Sequence, residues 1–293
     1  MNKIVKRGTI ALALISALSF SLAGCSSNDS TKTTSAKEKT VAASSSTKQD
    51  VQKSTPDNQY LVIEPGSKLG PDGKLHDAFI NGDIKLTVGK PVTLHFLNYD
   101  GGTHTYTSGD LGLNVQIKGS TKKGEPAETT FTFTPNKTGD FTWLCADKCD
   151  GGNGQWAMAQ QGYMQGKITV LPATNKVQYV SMVMNAGYKL GSDGKLHDAA
   201  TGGDMTLKAE VPVELTVYNF DGGSHTVTNK DLGLNLEVTP SKKDGSPSVS
   251  TIQFTPSKAG KYMWNCMKPC DGENKDWSMA QPGYMMGNFT VVK

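Results

Sequence analysis

Residues 129–149 read TTFTFTPNKTGDFTWLCADKC, and residues 250–270 read STIQFTPSKAGKYMWNCMKPC. In the first stretch two short runs, Thr129–Thr134 and Phe141–Cys145, alternate apolar and polar residues around a Pro-Asn-Lys-Thr-Gly turn. Alternation with a period of two between turn residues is the mark of a strand with one buried face. The same signal recurs at Ile84–Val88, Pro91–Leu97 and Lys167–Leu171, with Gly89-Lys90 reading as the turn between the first two. No segment sustains a 3.6-residue period, and the chain holds 32 Gly and 13 Pro. Short strands at this spacing predict an all-β fold, an antiparallel Greek-key β-sandwich, and exclude a helical bundle.

Working outward, the whole region is duplicated at an offset of 121 residues. Gly70–Ala78 (GPDGKLHDA) returns as Gly191–Ala199 (GSDGKLHDA), and Asn98–His104 (NYDGGTH) as Asn219–His225 (NFDGGSH). A period this long is a domain repeat, since solenoid units are far shorter. Two tandem domains are expected, at 59–172 and 177–293, joined through Leu171–Gln178. The total of 293 residues suits two domains of about 100–200 residues.

Ahead of them, Lys3, Lys6 and Arg7 precede an apolar run from Ile10 to Phe20. That run is too short for a comfortable membrane span and has the form of a secretory signal over residues 1–24. It ends in Leu22-Ala23-Gly24-Cys25, which resembles a bacterial lipobox. The resemblance implies cleavage before Cys25 and lipidation of that residue, so the expected location is the extracytoplasmic face of the cell membrane, held there by a lipid anchor. Residues 25–58 complete a Ser/Thr/Lys-rich tether that cannot bury a core, with a span of roughly 30 Å as a flexible chain. The net charge of +3 comes from the three basic residues of the signal. Such a balance does not point to nucleic acid as a partner.

Of five cysteines, four remain for the folded part, on the oxidising side of the membrane. They fall as Cys145/Cys149 and Cys266/Cys270. With His104 and Met164 in the first copy, and His225 and Met285 in the second, they give one imidazole, two thiols and one thioether per domain. That is a soft donor set suited to Cu(I) or a Cu–thiolate centre, so copper is the expected cofactor. A disulfide within each pair is the competing reading, because three intervening residues can bring two Cα atoms within bonding range.

These residues resemble the cupredoxins, in particular the binuclear copper (CuA) domains of cytochrome oxidase subunit II and nitrous-oxide reductase. The likeness rests on the N-x-D-x-x-x-H segments ending at His104 and His225, the two C-x3-C pairs, and the M-x-G-x-(I/F)-T-V endings from Met164 and Met285. It implies a cupredoxin-like sandwich with copper held by His104, Cys145, Cys149 and Met164, and by His225, Cys266, Cys270 and Met285. One departure is decisive for the type of centre. CuA sites carry a second His between the second Cys and the Met. Here none occurs, and Gln161 and Pro282 stand three residues before each Met.

The loop between the second Cys and the Met carries Trp156 with Met158, and Trp277 with Met279. The indole either caps the metal by a cation–π contact with the thioether as an extra ligand, or both residues pack the loop. His76 and His197 are either the missing imidazoles or turn residues bonded to a neighbouring carboxylate or carbonyl. Copy two is the richer in methionine, with Met263, Met267 and Met286 close to its ligands, so the copies are expected to differ in affinity.

The leading expectation is a membrane-anchored protein that holds Cu(I) for delivery, buffering or resistance and meets a copper donor or acceptor. The alternatives are an electron carrier serving an anchored reductase or oxidase as redox partner, and a disulfide-stabilised surface interaction module. No enzyme is expected, because copper oxidases need further His-rich sites and no nucleophile–base arrangement occurs.

Overall fold

In Val92–Asn98 the side chains of Val92, Leu94 and Phe96 are buried and those between them partly exposed, as the sequence alternation requires. The computed structural model describes residues 55–274 and 276–293. The signal over 1–24, Cys25 and the tether as far as residue 54 lie outside the described residues.

The first copy consists of β1 (Asp57–Leu69), β2 (Leu75–Phe79), β3 (Ile84–Thr87), β4 (Val92–Asn98), β5 (His104–Ser108), β6 (Leu113–Ile117), β7 (Ala127–Phe133), β8 (Gly139–Leu144) and β9 (Gln165–Leu171). They form two sheets, ordered β2-β1-β4-β7 and β3-β9-β8-β5-β6. The second copy repeats this with β10 (Gln178–Leu190), β11 (Leu196–Thr201), β12 (Met205–Lys208), β13 (Val213–Asn219), β14 (His225–Asn229), β15 (Leu234–Val238), β16 (Ser248–Phe254), β17 (Gly260–Asn265) and β18 (Met286–Val292). Its sheets run β11-β10-β13-β16 and β12-β18-β17-β14-β15. The architecture is all-β, two sandwiches in tandem.

Three local expectations need correction. The sheets are mixed, because β1 lies parallel to β4 and β3 parallel to β9. Gly89-Lys90 is no hairpin turn. It carries the chain from one sheet to the other, with Gly89 at φ 74° and its N–H on the Pro135 carbonyl. The first strand also starts inside the expected tether, where Asp57 and Asn58 already pair with Val92 and Thr93.

The first core is centred on Phe79, Phe96, Tyr106 and Trp143, with Tyr106 stacked on Trp143 at 4.6 Å between ring centroids. Burying aromatic side chains of this size dominates the stability of a small sandwich.

The two copies pack through β1 and β10 about a pseudo-twofold axis. Leu69 N–H donates to Gly245 O at 2.8 Å, and its counterpart Leu190 N–H donates to Gly124 O at 2.9 Å. Both glycines have positive φ, and a Cβ on Gly245 would lie 2.9 Å from the Leu69 nitrogen, so the close approach needs glycine. On the axis Asn185 Nδ2 donates to Glu64 Oε1 at 2.6 Å, and these two residues are themselves counterparts. Tyr99 meets Thr201 by hydrogen bond at 3.0 Å and Tyr188 edge-on at 4.8 Å. Ion pairs Lys85–Glu214 and Lys208–Asp57 close the rim.

Candidate metal centre

Cys145 follows the last residue of β8. Trp143 and Cys145 point inward while Leu144 between them is exposed. The Cys145 N–H bonds the Met164 carbonyl at 2.8 Å, which sets the buried Met164 beside it at the entry to β9. His104 opens β5, whose Thr107 pairs with Leu144 of β8. The Thr105 N–H points at Cys145 Sγ at 3.3 Å, and Thr105 Oγ1 accepts the Ala146 N–H at 2.6 Å. Strand register thus carries both ligand types to the same end of the sandwich.

The loop ahead of His104 is shaped by Asn98. Its amide donates to Gly102 O and Lys118 O, both at 3.0 Å, and its Oδ1 accepts the Asp100 N–H at 2.9 Å. Asp100 Oδ2 then lies 2.9 Å from His104 Nε2. That contact turns the other nitrogen, Nδ1, to the thiols, at 3.0 Å from Cys149 Sγ and 3.8 Å from Cys145 Sγ. The two sulfurs are 2.9 Å apart.

Copy two reproduces this. His225 Nδ1 is 3.2 Å from Cys270 Sγ and 3.8 Å from Cys266 Sγ, the sulfurs are 2.9 Å apart, and Asp221 holds Nε2 at 2.8 Å. In each copy the three donor atoms lie within 4.8 Å of one another on buried side chains. A carboxylate on the far nitrogen fixes tautomer and ring orientation and raises the basicity of the ligating one. Asp100 and Asp221 are therefore orienting residues that sequence reading left without a role, although each stands in the repeated N-x-D-x-x-x-H segment.

The electrostatics follow from these contacts. Burial pulls His104 down, but its bonds to Asp100 and Cys145 outweigh that and push it up to about 9; His225 behaves alike, at about 9. The Cys149 hydrogen bond brings the Cys145 thiol below its ordinary range against the cost of burial, with help from His104 and the Thr105 N–H. Cys149, next to that thiolate and buried, is pushed up. The pair therefore holds one proton between two sulfurs, and Cys266 and Cys270 share the pattern. Two thiols and an oriented imidazole, with a buried Met alongside, fit a soft metal. Copper(I) suits such donors, and zinc is poorly served by a thioether.

The flanking residues sort differently from the triad. Met158 Sδ receives the Cys149 N–H at 3.5 Å, so its thioether touches the backbone of the second cysteine. Met279, its counterpart, packs against the second core. Trp156 stacks on His76 at 4.0 Å and Trp277 on His197 at 3.9 Å, so each indole's stacking partner is an imidazole. His76 and His197 do not supply the missing second ligand. His76 Nδ1 is bonded to Asp150 at 2.7 Å and Nε2 to Asp72 at 3.0 Å, and His197 is held likewise by Asp271 and Asp193, leaving no ring nitrogen for a metal. They stand on strands β2 and β11, beyond the turn. Their task is to anchor the cysteine loop. Asp150, directly after Cys149 and at φ 63°, also accepts the Ala157 N–H, while its own N–H reaches Asp77.

No protein-family model matches the chain, and no curated protein is similar to it. Solved structures similar to it include a blue copper oxidase from Nitrosomonas europaea, at 14% identity and TM-score 0.30 over 80% of this chain and 85% of that one. A copper nitrite reductase from the same organism gives 12% and 0.30 over 82% and 95%. The metal-binding domain of a Cu(I)-exporting P-type ATPase of Streptococcus pneumoniae, with Cu(I), gives 16% and 0.27 over 41% and 89%. Likenesses of this strength say nothing of what the chain binds, and its chemistry rests on its own residues.

Proposed function

We propose that the protein is a cupredoxin-like copper carrier holding one Cu(I) in each copy, for delivery or buffering at the extracytoplasmic face of the membrane. The observation that supports it most is the twofold convergence of a buried imidazole nitrogen and two cysteine sulfurs within 4.8 Å. His104, Cys145 and Cys149, with Met164, would hold the ion in copy one, and His225, Cys266, Cys270 and Met285 in copy two. Bound copper supplies a soft cationic centre that stabilises both thiolates. The protein's own residues do the rest. Asp100 and Asp221 orient the imidazoles, the Thr105 and Thr226 N–H groups meet the first sulfur, and burial keeps water from the thiolates. Lipidation at Cys25 and the tether would keep the carrier at the membrane within reach of a donor or acceptor.

Anaerobic titration with Cu(I) against a competing chelator tests this. Two tight, colourless equivalents are expected, one of them lost in Cys145→Ser/Cys149→Ser and the other in Cys266→Ser/Cys270→Ser. Intense visible thiolate bands on copper loading, with reversible cycling, would instead make the protein an electron carrier. All four cysteines are free thiols in the structure, but sulfurs 2.9 Å apart are near enough to be oxidised to a bond of about 2.05 Å, which would make the protein a disulfide-stabilised interaction module. Failure of the fully reduced protein to retain copper would move the account there.

A further inference from the structure

Two loops cross between the copies, and each reaches a strand end that holds the residue next to a proposed ligand of the other copy. In copy two the loop 241–246 is tied at its start to the residue that orients the imidazole. Asp221 holds His225 with its side chain and accepts the Ser241 N–H on its backbone oxygen at 2.8 Å. Ser241 Oγ closes the loop on the carbonyls of Lys243 and Ser246, both at 2.8 Å. At the tip, Gly245 O takes the Leu69 N–H of copy one at 2.8 Å. The Leu69 carbonyl in turn accepts the Tyr163 hydroxyl at 2.7 Å, and Met164 is the next residue.

Copy one returns the same series of bonds. Asp100 O accepts the Ser120 N–H at 2.6 Å, Ser120 Oγ bonds the Lys122 and Glu125 carbonyls, and Gly124 O takes the Leu190 N–H at 2.9 Å. Leu190 O accepts the Tyr284 hydroxyl at 2.6 Å, and Met285 follows. The joint tolerates no side chain. Gly245 and Gly124 have φ of 69° and 79°, and a Cβ on either would stand 2.9 Å from the leucine nitrogen it faces, closer than real contacts allow. Each methionine is also tied to its own cysteine strand, through Cys145 N–H to Met164 O and Cys266 N–H to Met285 O. A shift of the strand end is therefore felt at the thioether and beside the thiolate. Sites of this kind depend on hydrogen bonds outside the ligand set to hold the ligands in place.

We infer that Gly245 and Gly124 are positioning residues for the metal site of the opposite copy. Each loop fixes the strand end and the tyrosine that place Met164 or Met285, so neither site is complete without the other copy. The metal role of the two methionines rests on the carrier reading above.

The test uses full-length protein labelled at the methionine methyl groups, read by NMR first without copper and assigned from single Met→Leu variants. Gly245→Ala should move the Met164 methyl and leave that of Met285, and Gly124→Ala should do the reverse. Cu(I) competition then follows one site at a time. With Cys266→Ser/Cys270→Ser in place, Gly245→Ala should weaken copy one by about three- to tenfold. With Cys145→Ser/Cys149→Ser in place, it should leave copy two within about twofold. Ser241→Ala loosens the same loop without a strained φ and should shift Met164 in the same direction by less, which decides the matter if Gly245→Ala misfolds. A Met164 methyl that stays put, or a loss of affinity confined to copy two or equal in both copies, overturns the positioning role. Copper that bypasses the cysteines would instead sink the carrier reading, and the methyl shifts of the copper-free protein would still decide this one.

Discussion

Glu64 provides the most quantitative prediction. It lies fully buried on the pseudo-twofold axis, with Oε1 on Asn185 and Oε2 shielded and without a hydrogen-bond partner among the described residues. Burial disfavours its charged form more than the Asn185 bond supports it, so its carboxyl is raised from 4.5 to about 7. Tyr99 and Tyr188 face it across the same interface, and neither supplies positive charge. A carboxyl whose pKa rises on folding leaves the folded state at full strength below pH 4.5 and weakens it as pH climbs through about 7. The shift of about 2.5 units at 1.36 kcal/mol each corresponds to about 3 kcal/mol between pH 4 and pH 8.5. Glu64→Gln keeps the shape and an acceptor for Asn185 but cannot ionise. Urea unfolding of both proteins across that range should show the variant gaining on wild type by about 3 kcal/mol, with the gain concentrated between about pH 4.5 and 7 and level above that. Other titrating groups cancel in the comparison. Parallel pH profiles for the two proteins would refute the reasoning.

Three further outcomes follow from the geometry. Asp100→Asn should release the His104 ring, lower its pKa from about 9, and weaken Cu(I) binding in copy one by about 10–100-fold, read by chelator competition with copy two as the internal control. In both copies protons compete with the metal at an imidazole held at about 9 and at the second thiol, which is pushed up, so affinity should climb with pH through 9 and keep climbing, less steeply, above it, which competition at pH 6 to 10 would show. His76→Ala removes one partner of a buried pair and leaves Asp150 with its bonds from Asn153 and the Ala157 N–H, which should cost about 2 kcal/mol in urea unfolding; a change near zero would contradict the anchoring role.

Much of this was legible in the sequence because it is local or repeated. The alternation of Val92–Leu97 and Thr129–Thr134 placed β4 and β7, and the 121-residue offset placed the second copy before any contact was known. The candidate triad was legible because four ligand types recur in one order. What the sequence hid is long-range. Nothing around Gly89-Lys90 tells a hairpin from a crossing between sheets, because alternation marks which side chains are buried and not which sheet receives the strand. His76 looked like a turn residue because Asp150, its partner 74 residues away, leaves no local trace. The interface is hidden for the same reason, since Glu64 and Asn185 occupy equivalent positions with different side chains and only their meeting on the axis gives either a role. Asp100 was visible in its motif, yet its role needs the ring orientation to be seen.

The most direct test of the central claim is X-ray absorption at the copper edge on protein loaded under anaerobic, reducing conditions. Two coppers per chain as Cu(I) are expected, in a shell dominated by sulfur with one imidazole nitrogen, and the sulfur signal should vanish copy by copy in the paired Cys→Ser variants. A shell of nitrogen and oxygen alone, or copper content unchanged in those variants, would contradict the account.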